Sequence, residues 1–211
     1  MAWYNASWSY RKKITIDNTK VSANETDFPV LISLATDADL AADAQADGDD
    51  ILFTSTDGTT KLDHEIELFV SATGQLIAWV EIPSLSSTAD TDIYMYYGNA
   101  GASNQQNITG TWNANYMGAW HMKDDPDNST IQDSTSNNND GTKRAAANPV
   151  EADGKIGKGQ SFTATNSDYI STGATGLGFD YTDSWTIEGW VKCTGNARTV
   201  YSKGYYRASP E

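Results

Sequence analysis

Apolar side chains in the first hundred residues come in alternation, a pattern that only a half-buried strand satisfies. In YRKKITID, Tyr10, Ile14 and Ile16 fall on one side and Arg11, Lys13 and Thr15 on the other. The same period recurs in FPVLIS (28–33), DILFT (50–54), LDHEIELFV (62–70), LIAWVEI (76–82) and DIYMYYG (92–98). Turn formers divide these runs: Asp57-Gly58, Thr73-Gly74, Pro83 and Gly98-Asn99. Strands at such spacing predict an antiparallel sandwich. The one expected helix lies in DADLAADAQADGDD (37–50), with aspartate near its start, alanines through its middle and glycine after it. It should run only about two turns.

Periodicity lapses in GNAGASNQQNITGT (98–111), which reads as a linker. Beyond it strands are expected again at 116–122, 160–164, 168–172, 184–193 and 198–204, between loops rich in Gly, Asn and Asp. The organisation predicted is an all-β chain of two tandem antiparallel β-sandwich, jelly-roll-like domains. The first covers residues 1–100, a linker 101–112, and a second, shortened sandwich 113–211. At 211 residues the chain is long enough for both cores. No fixed-period repeat relates the halves.

Charge narrows the partners. A net charge of −14 repels nucleic acid and anionic membrane surfaces and attracts cations, so no nucleic-acid partner is expected. No apolar run approaches the roughly 20 residues of a membrane span. Cys193 is the single cysteine, so no internal disulfide forms; at the end of an apolar run it is expected to be a buried, inert thiol. The N-terminal MAWYNASWSYRKKITID shows no hydrophobic signal core. The expected settings are a virion component released by lysis, or an extracellular surface protein whose signal has been removed.

Catalytic signals are sparse. In DHEIE, Asp63, Glu65 and Glu67 share a strand face, opposite Leu62, Ile66 and Leu68. A retaining glycosidase needs two such carboxylates about 5–5.5 Å apart. The simpler reading is an outward polar face, its acids neutralised by Arg11 or a lysine on a neighbouring strand. His64 shares parity with the apolar residues and is expected to be a satisfied core histidine; a metal ligand would need a second His or Cys beside it. The other histidine, His121, falls in the second unit. No GxSxG, zinc-type spacing or phosphate loop is present. The chain is therefore expected not to be an enzyme.

The aromatics suggest recognition. In SWTIEGWVK, Trp190 shares a face with Glu188 and Lys192, a polar-framed platform on which a sugar face could stack. Trp120 in GAWHM is a second candidate. Packing under a neighbouring sheet is the alternative for both, as it is for Trp79 and the Tyr94/Tyr96 pair.

Two resemblances follow from the motifs. WSYRKKITIDNTKV, TDFPVLISL, GDDILFTSTDGTTKLDHEIELF and AWVEIPSLSSTADTDIYMYYGN resemble a bacterial and viral β-sandwich family known only as a domain of unknown function, over residues 3–100. GAWHM, IQDSTSNNNDGT, DGKIGKGQSF, DYIST, SWTIEGWVKC and RTVYSKG are similar to the laminin-G-like branch of the concanavalin-A-like lectin superfamily. That second resemblance implies a jelly roll binding glycans or proteins, often with calcium at its rim. It bears on the acid-rich stretch 119–142, which lacks EF-hand spacing. There the DSTSNNNDGT connection implies a solvated rim loop, with Asp133 opening a turn and the asparagines tolerating left-handed backbone. If calcium is the cofactor, its ligands are expected to be Asp133 with Asp124 or Asp125, since calcium gathers six to eight oxygens. The function expected is a non-enzymatic, glycan-binding adhesion module in a virion or on a cell surface. The alternative is a purely structural assembly subunit; the partners expected are a glycan or cell-surface protein, and a homo-oligomer or virion assembly.

Overall fold

The computed structural model describes residues 2–144, 149–172, 177–179, 182–194 and 200–202. Each alternating run of the first half forms a strand: β1 (Tyr10–Ile16), β2 (Phe28–Leu34), β3 (Leu52–Thr54), β4 (Lys61–Leu62), β5 (His64–Val70), β6 (Gln75–Ile82) and β7 (Thr91–Tyr97). They make two antiparallel sheets, ordered β1-β7-β3-β4 and β2-β6-β5. Phe53, Ile93 and Met95 of the first sheet pack with Leu76, Val80 and Ile82 of the second. All six are at most 2% exposed, so this interface removes the apolar face of both sheets from water.

The helix is shorter than its sequence window. Helix α1 spans Ala38–Asp43, and Asp37 caps it by accepting from the amides of Asp39 and Leu40. Lys12 of β1 pairs with Asp37 at 2.5 Å, tying the cap to the first sheet. Gly74, at φ +64°, lies so close to α1 that a Cβ would sit 1.9 Å from the Asp37 carbonyl oxygen; no other residue fits there.

The stretch read as a linker has structure of its own. Asp50, fully buried, accepts from the amides of Gly98 and Asn99 at 2.7 and 2.9 Å. Gln106 Oε1 accepts from the Ile66 amide at 2.6 Å, and the Asn107 amide donates to the His64 carbonyl at 3.1 Å. Helix α2 (Ile108–Thr111) follows, and Thr111 and Trp112 are buried. The chain is thereby laced onto β5 before the second half begins.

The second half is all-β in character but built from short strands. β8 (Thr130–Ile131), β9 (Gly141–Lys143) and β12 (Ile170–Ser171) form one sheet in the order β12-β9-β8. β10 (Val150–Asp153) and β11 (Lys158–Ser161) pair alone. Two expected strands do not form. In 116–122, side chains take the backbone groups that a neighbouring strand would need: Asn137 and Asn139 donate to the Tyr116 and Met117 carbonyls, and the Ala119 amide donates to Asp133. Residues 184–193 are exposed and carry no strand, since none pairs with them among the described residues. Cys193, expected buried, is exposed for the same reason. Of the expected strand at 198–204, only 200–202 lie within the described residues, and they form none.

Candidate functional site

A bulge in β5 decides where its acids point. Ile66 pairs with Ala78 and Leu68 with Ile77, so Glu67 has no partner on β6. The extra residue reverses parity beyond it. Ile66 and then Phe69 pack on the core, whereas Leu68 lines a surface cleft with Glu67. Glu65, opposite Trp79, and the bulged Glu67 both lie on the outer face of the sheet.

That face is not solvated, contrary to the polar-face expectation. Glu65 is 6% exposed and Glu67 9%, because the second half covers them. His121 inserts between the two carboxylates. Its Nδ1 lies 3.1 Å from Glu67 Oε2, and its Nε2 lies 3.0 Å from Glu65 Oε2. The Nε2 contact is off the line of a good N–H donor, so it is an ion pair rather than an aligned hydrogen bond. Among the described residues neither Arg11 nor a lysine fills this role. Arg11 instead lies over the rings of Trp3 and Tyr94, at 4.7 and 4.6 Å.

Neutral donors reach the same carboxylates, two of them on the oxygens that face His121. Trp112 Nε1 donates to Glu65 Oε2 at 2.9 Å and Ser134 Oγ to Glu65 Oε1 at 2.6 Å. Trp79 Nε1 donates to Glu67 Oε2 at 2.9 Å. Both indole rings flank the imidazole, with centroids 6.1 Å (Trp79) and 5.9 Å (Trp112) away. Gly157 closes the far side, where a Cβ would come within 1.9 Å of Glu67 Oε1.

Protonation follows from this packing. Burial opposes charge on His121, but the two glutamates outweigh it and raise its pKa to about 9. Burial likewise works to raise Glu65, yet His121, Ser134 and Trp112 together hold it below the ordinary carboxylate value. At neutral pH His121 is therefore an imidazolium set between Glu65 and Glu67. Charges buried in this way are stable only when paired: His121 lies within 3.1 Å of both carboxylates, and the carboxylates also accept neutral hydrogen bonds.

The loop carrying Asp133 builds the other half of the cluster. Asp133 Oδ1 accepts from the amides of Ala119 and Thr135; Oδ2 accepts from Thr135 Oγ1 and the Asn139 amide. Four acceptor bonds use the carboxylate's capacity. Its own amide donates to Asp140. Asp133 thus does open a turn, but the turn is an internal brace rather than a free rim. It pins Ala119, two residues before His121, and places Ser134 on Glu65.

The other anticipated residues are dispersed. Asp124 pairs with the buried Lys143 and accepts from Gln160 Nε2; Asp125 pairs with Lys123 at 3.0 Å. Among the described residues, no group of three or more His, Cys, Asp or Glu is arranged to hold a metal. Trp120 is half-buried and donates to the Asn139 carbonyl at 2.9 Å. Trp190 is 74% exposed, with Lys155 Nζ 6.0 Å from its ring centroid; Glu188 and Lys192 are exposed but share no strand with it. His64 is wholly buried against Phe53, its Nδ1 3.5 Å from the Leu62 carbonyl and its Nε2 unpartnered. Burial lowers its pKa to about 4.

Reading the sequence missed the Glu65–His121–Glu67 cluster. Its only signals were acids two apart on a strand and a histidine after a tryptophan, and nothing local connects them. No described helix is long and apolar enough to cross a membrane. No curated protein and no solved structure matches the chain. Residues 47–139 match the family model of a domain of unknown function (DUF2341), a span that runs from β3 through the Asp133 loop and holds every side chain that hydrogen-bonds or ion-pairs within the cluster.

Proposed function

We propose that this chain is a non-enzymatic recognition module of a virion or extracellular surface, taking a glycan on exposed aromatic side chains of its second half. The observation that carries this reading is Trp190. A tryptophan 74% exposed, with Lys155 Nζ 6.0 Å from its ring centroid, offers an aromatic face and a nearby hydrogen-bond donor, the combination a saccharide uses. Trp185, 49% exposed, stacks on Phe179 at 4.9 Å and is a second exposed tryptophan of this half. The resemblance of this half to laminin-G-like lectins points the same way. The non-enzymatic part is supported by the fate of Glu65 and Glu67, whose Oε2 oxygens are each engaged by His121 and an indole donor. A glycan array probed with the wild-type chain and Trp190→Ala tests the reading. Binding to a glycan class that falls at least about tenfold in the variant supports it; equal binding by both, or no binding at all, refutes it.

A structural assembly role is favoured by one other observation. Edge strands β1 and β2 flank a cleft of about 270 Å³ lined by Ile14, Ile16, Val30, Ile32 and Leu34. Unpaired edges over apolar side chains are where another chain adds a strand. Light scattering after size exclusion separates the readings: a stable oligomer favours assembly, and a monomer that binds glycan favours recognition.

A further inference from the structure

We propose that Glu65, Glu67 and His121 form a proton-operated latch, in which the imidazolium holds residues 112–139 on the outer face of the β2-β6-β5 sheet and its deprotonation frees them. The argument rests on which groups meet and where they come from. Both carboxylates belong to β5, whereas the cation between them and the Ser134 donor belong to the second half. Removing one proton leaves two carboxylates on one strand, facing a neutral ring that can donate to only one of them. The glutamates would then share a buried site as like charges, which low-dielectric surroundings penalise most.

The other groups around the latch do not replace the lost charge. Trp79 from β6 and Trp112 after α2 donate neutral hydrogen bonds. Tyr116 stacks edge-on to Trp112 at 5.2 Å, and burial raises its phenol above the ordinary value, so it ionises after the imidazolium. The carboxylate of Asp133 is spent within its own loop. Beyond Gly157, the cleft at Glu67 holds Lys123, Asp124, Glu151 and Lys158. Lys123 is paired with Asp125 and Lys158 with Asp153, both at 3.0 Å. Among the described residues no lysine or arginine forms an ion pair with Glu65 or Glu67. The latch therefore has one cation, and that cation titrates.

Trp79 and Trp112 sit on the imidazole and report its state. The test is tryptophan emission of the full chain from pH 6 to 10, read beside proteolysis of the 101–112 stretch. The wild type should shift to the red with a midpoint near 9, and protease sensitivity should rise over the same range. Glu67→Gln keeps the hydrogen-bonding shape but removes one carboxylate, and should lower the midpoint by about one pH unit or more. His121→Gln should abolish the transition while the circular dichroism of the first sandwich persists. A transition that survives in His121→Gln, an unmoved midpoint in Glu67→Gln, or a wild-type chain with no change between pH 7 and 10 overturns the proposal.

Discussion

The two histidines sit about one sheet apart and show how differently the halves of this molecule are held. His64 points into the first sandwich, wholly buried beside Phe53 and kept neutral by burial, its pKa near 4. His121 reaches the opposite side of the same strand from the second half and is kept charged by two carboxylates, its pKa near 9. The first region is organised by apolar area: seven strands and a core whose central side chains are at most 2% exposed. The second is organised by polar bracing. Its strands run two to four residues, and Asp133, Asn137, Asn139 and the Lys143–Asp124 pair hold what sheets hold elsewhere. Apolar burial is non-directional, whereas a carboxylate that fixes four donors works only in one geometry.

The largest expected effect comes from breaking the apolar side. Phe53→Ala should cost about 4 kcal/mol, because it empties a wholly buried site. Since the second half docks on that sandwich, both should lose structure in a single urea transition. A separate, unshifted transition for the second half would show that it stands without the first.

Glu65→Ala comes next, at about 3 kcal/mol. It strands His121, Trp112 Nε1 and Ser134 Oγ together, and removing one partner of a buried ion pair costs more than the pair contributes. The same transition should become biphasic, the second half melting first. A loss below about 0.5 kcal/mol, the range of an ordinary surface change, would mean the cluster bears no load.

The histidine comparison is sharpened by pH. The pKa of His121 is raised in the folded chain from 6.5 to about 9, so its stabilisation is complete below pH 6.5 and drains away as pH rises through 9. That of His64 is lowered from 6.5 to about 4, so its contribution is complete above pH 6.5 and drains away as pH falls through 4. Melting temperature should therefore peak near pH 6.5. His121→Gln should flatten the alkaline limb and leave the acid one; a variant that alters both limbs equally would contradict the separation.

Smaller effects are expected in the brace. Asp133→Asn exchanges an acceptor oxygen for a donor facing the Asn139 amide, and should cost about 1–2 kcal/mol in chemical denaturation. Calcium and chelator should leave the melting curve unmoved, because the Asp133 oxygens already accept four protein hydrogen bonds. A calcium-dependent rise of several degrees, lost in Asp133→Asn, would return the loop to the metal reading.

Local pattern was enough for the first region. Alternation in 10–17, 28–33 and 76–82, with turn residues between, predicts strands to within a residue of those observed, because side-chain direction in a strand depends only on the neighbouring residues. Asp37 and the following alanines likewise mark α1, since capping acts over three residues. Parity failed where a single inserted residue, Glu67, reversed it. Nothing in EIELFV distinguishes a bulged register from a regular one; only the pairing with β6 does. The strands expected at 116–122 and 184–193 failed for a related reason, since a strand exists only when a partner supplies its hydrogen bonds.

The cluster was beyond any local reading. Trp112 meets Glu65 across 47 positions and Ser134 meets it across 69, in segments that each look polar and solvated by themselves. A carboxylate at the surface and one paired in the interior have the same letter, and what separates them is the chain that folds over them. The sequence by itself therefore determined the alternation, the turns and the first sandwich, which short-range sterics and apolar burial enforce. Only the tertiary structure decided that Glu65, Glu67 and His121 share one charge balance, because Coulombic pairing depends on distance in space and leaves no period along the chain.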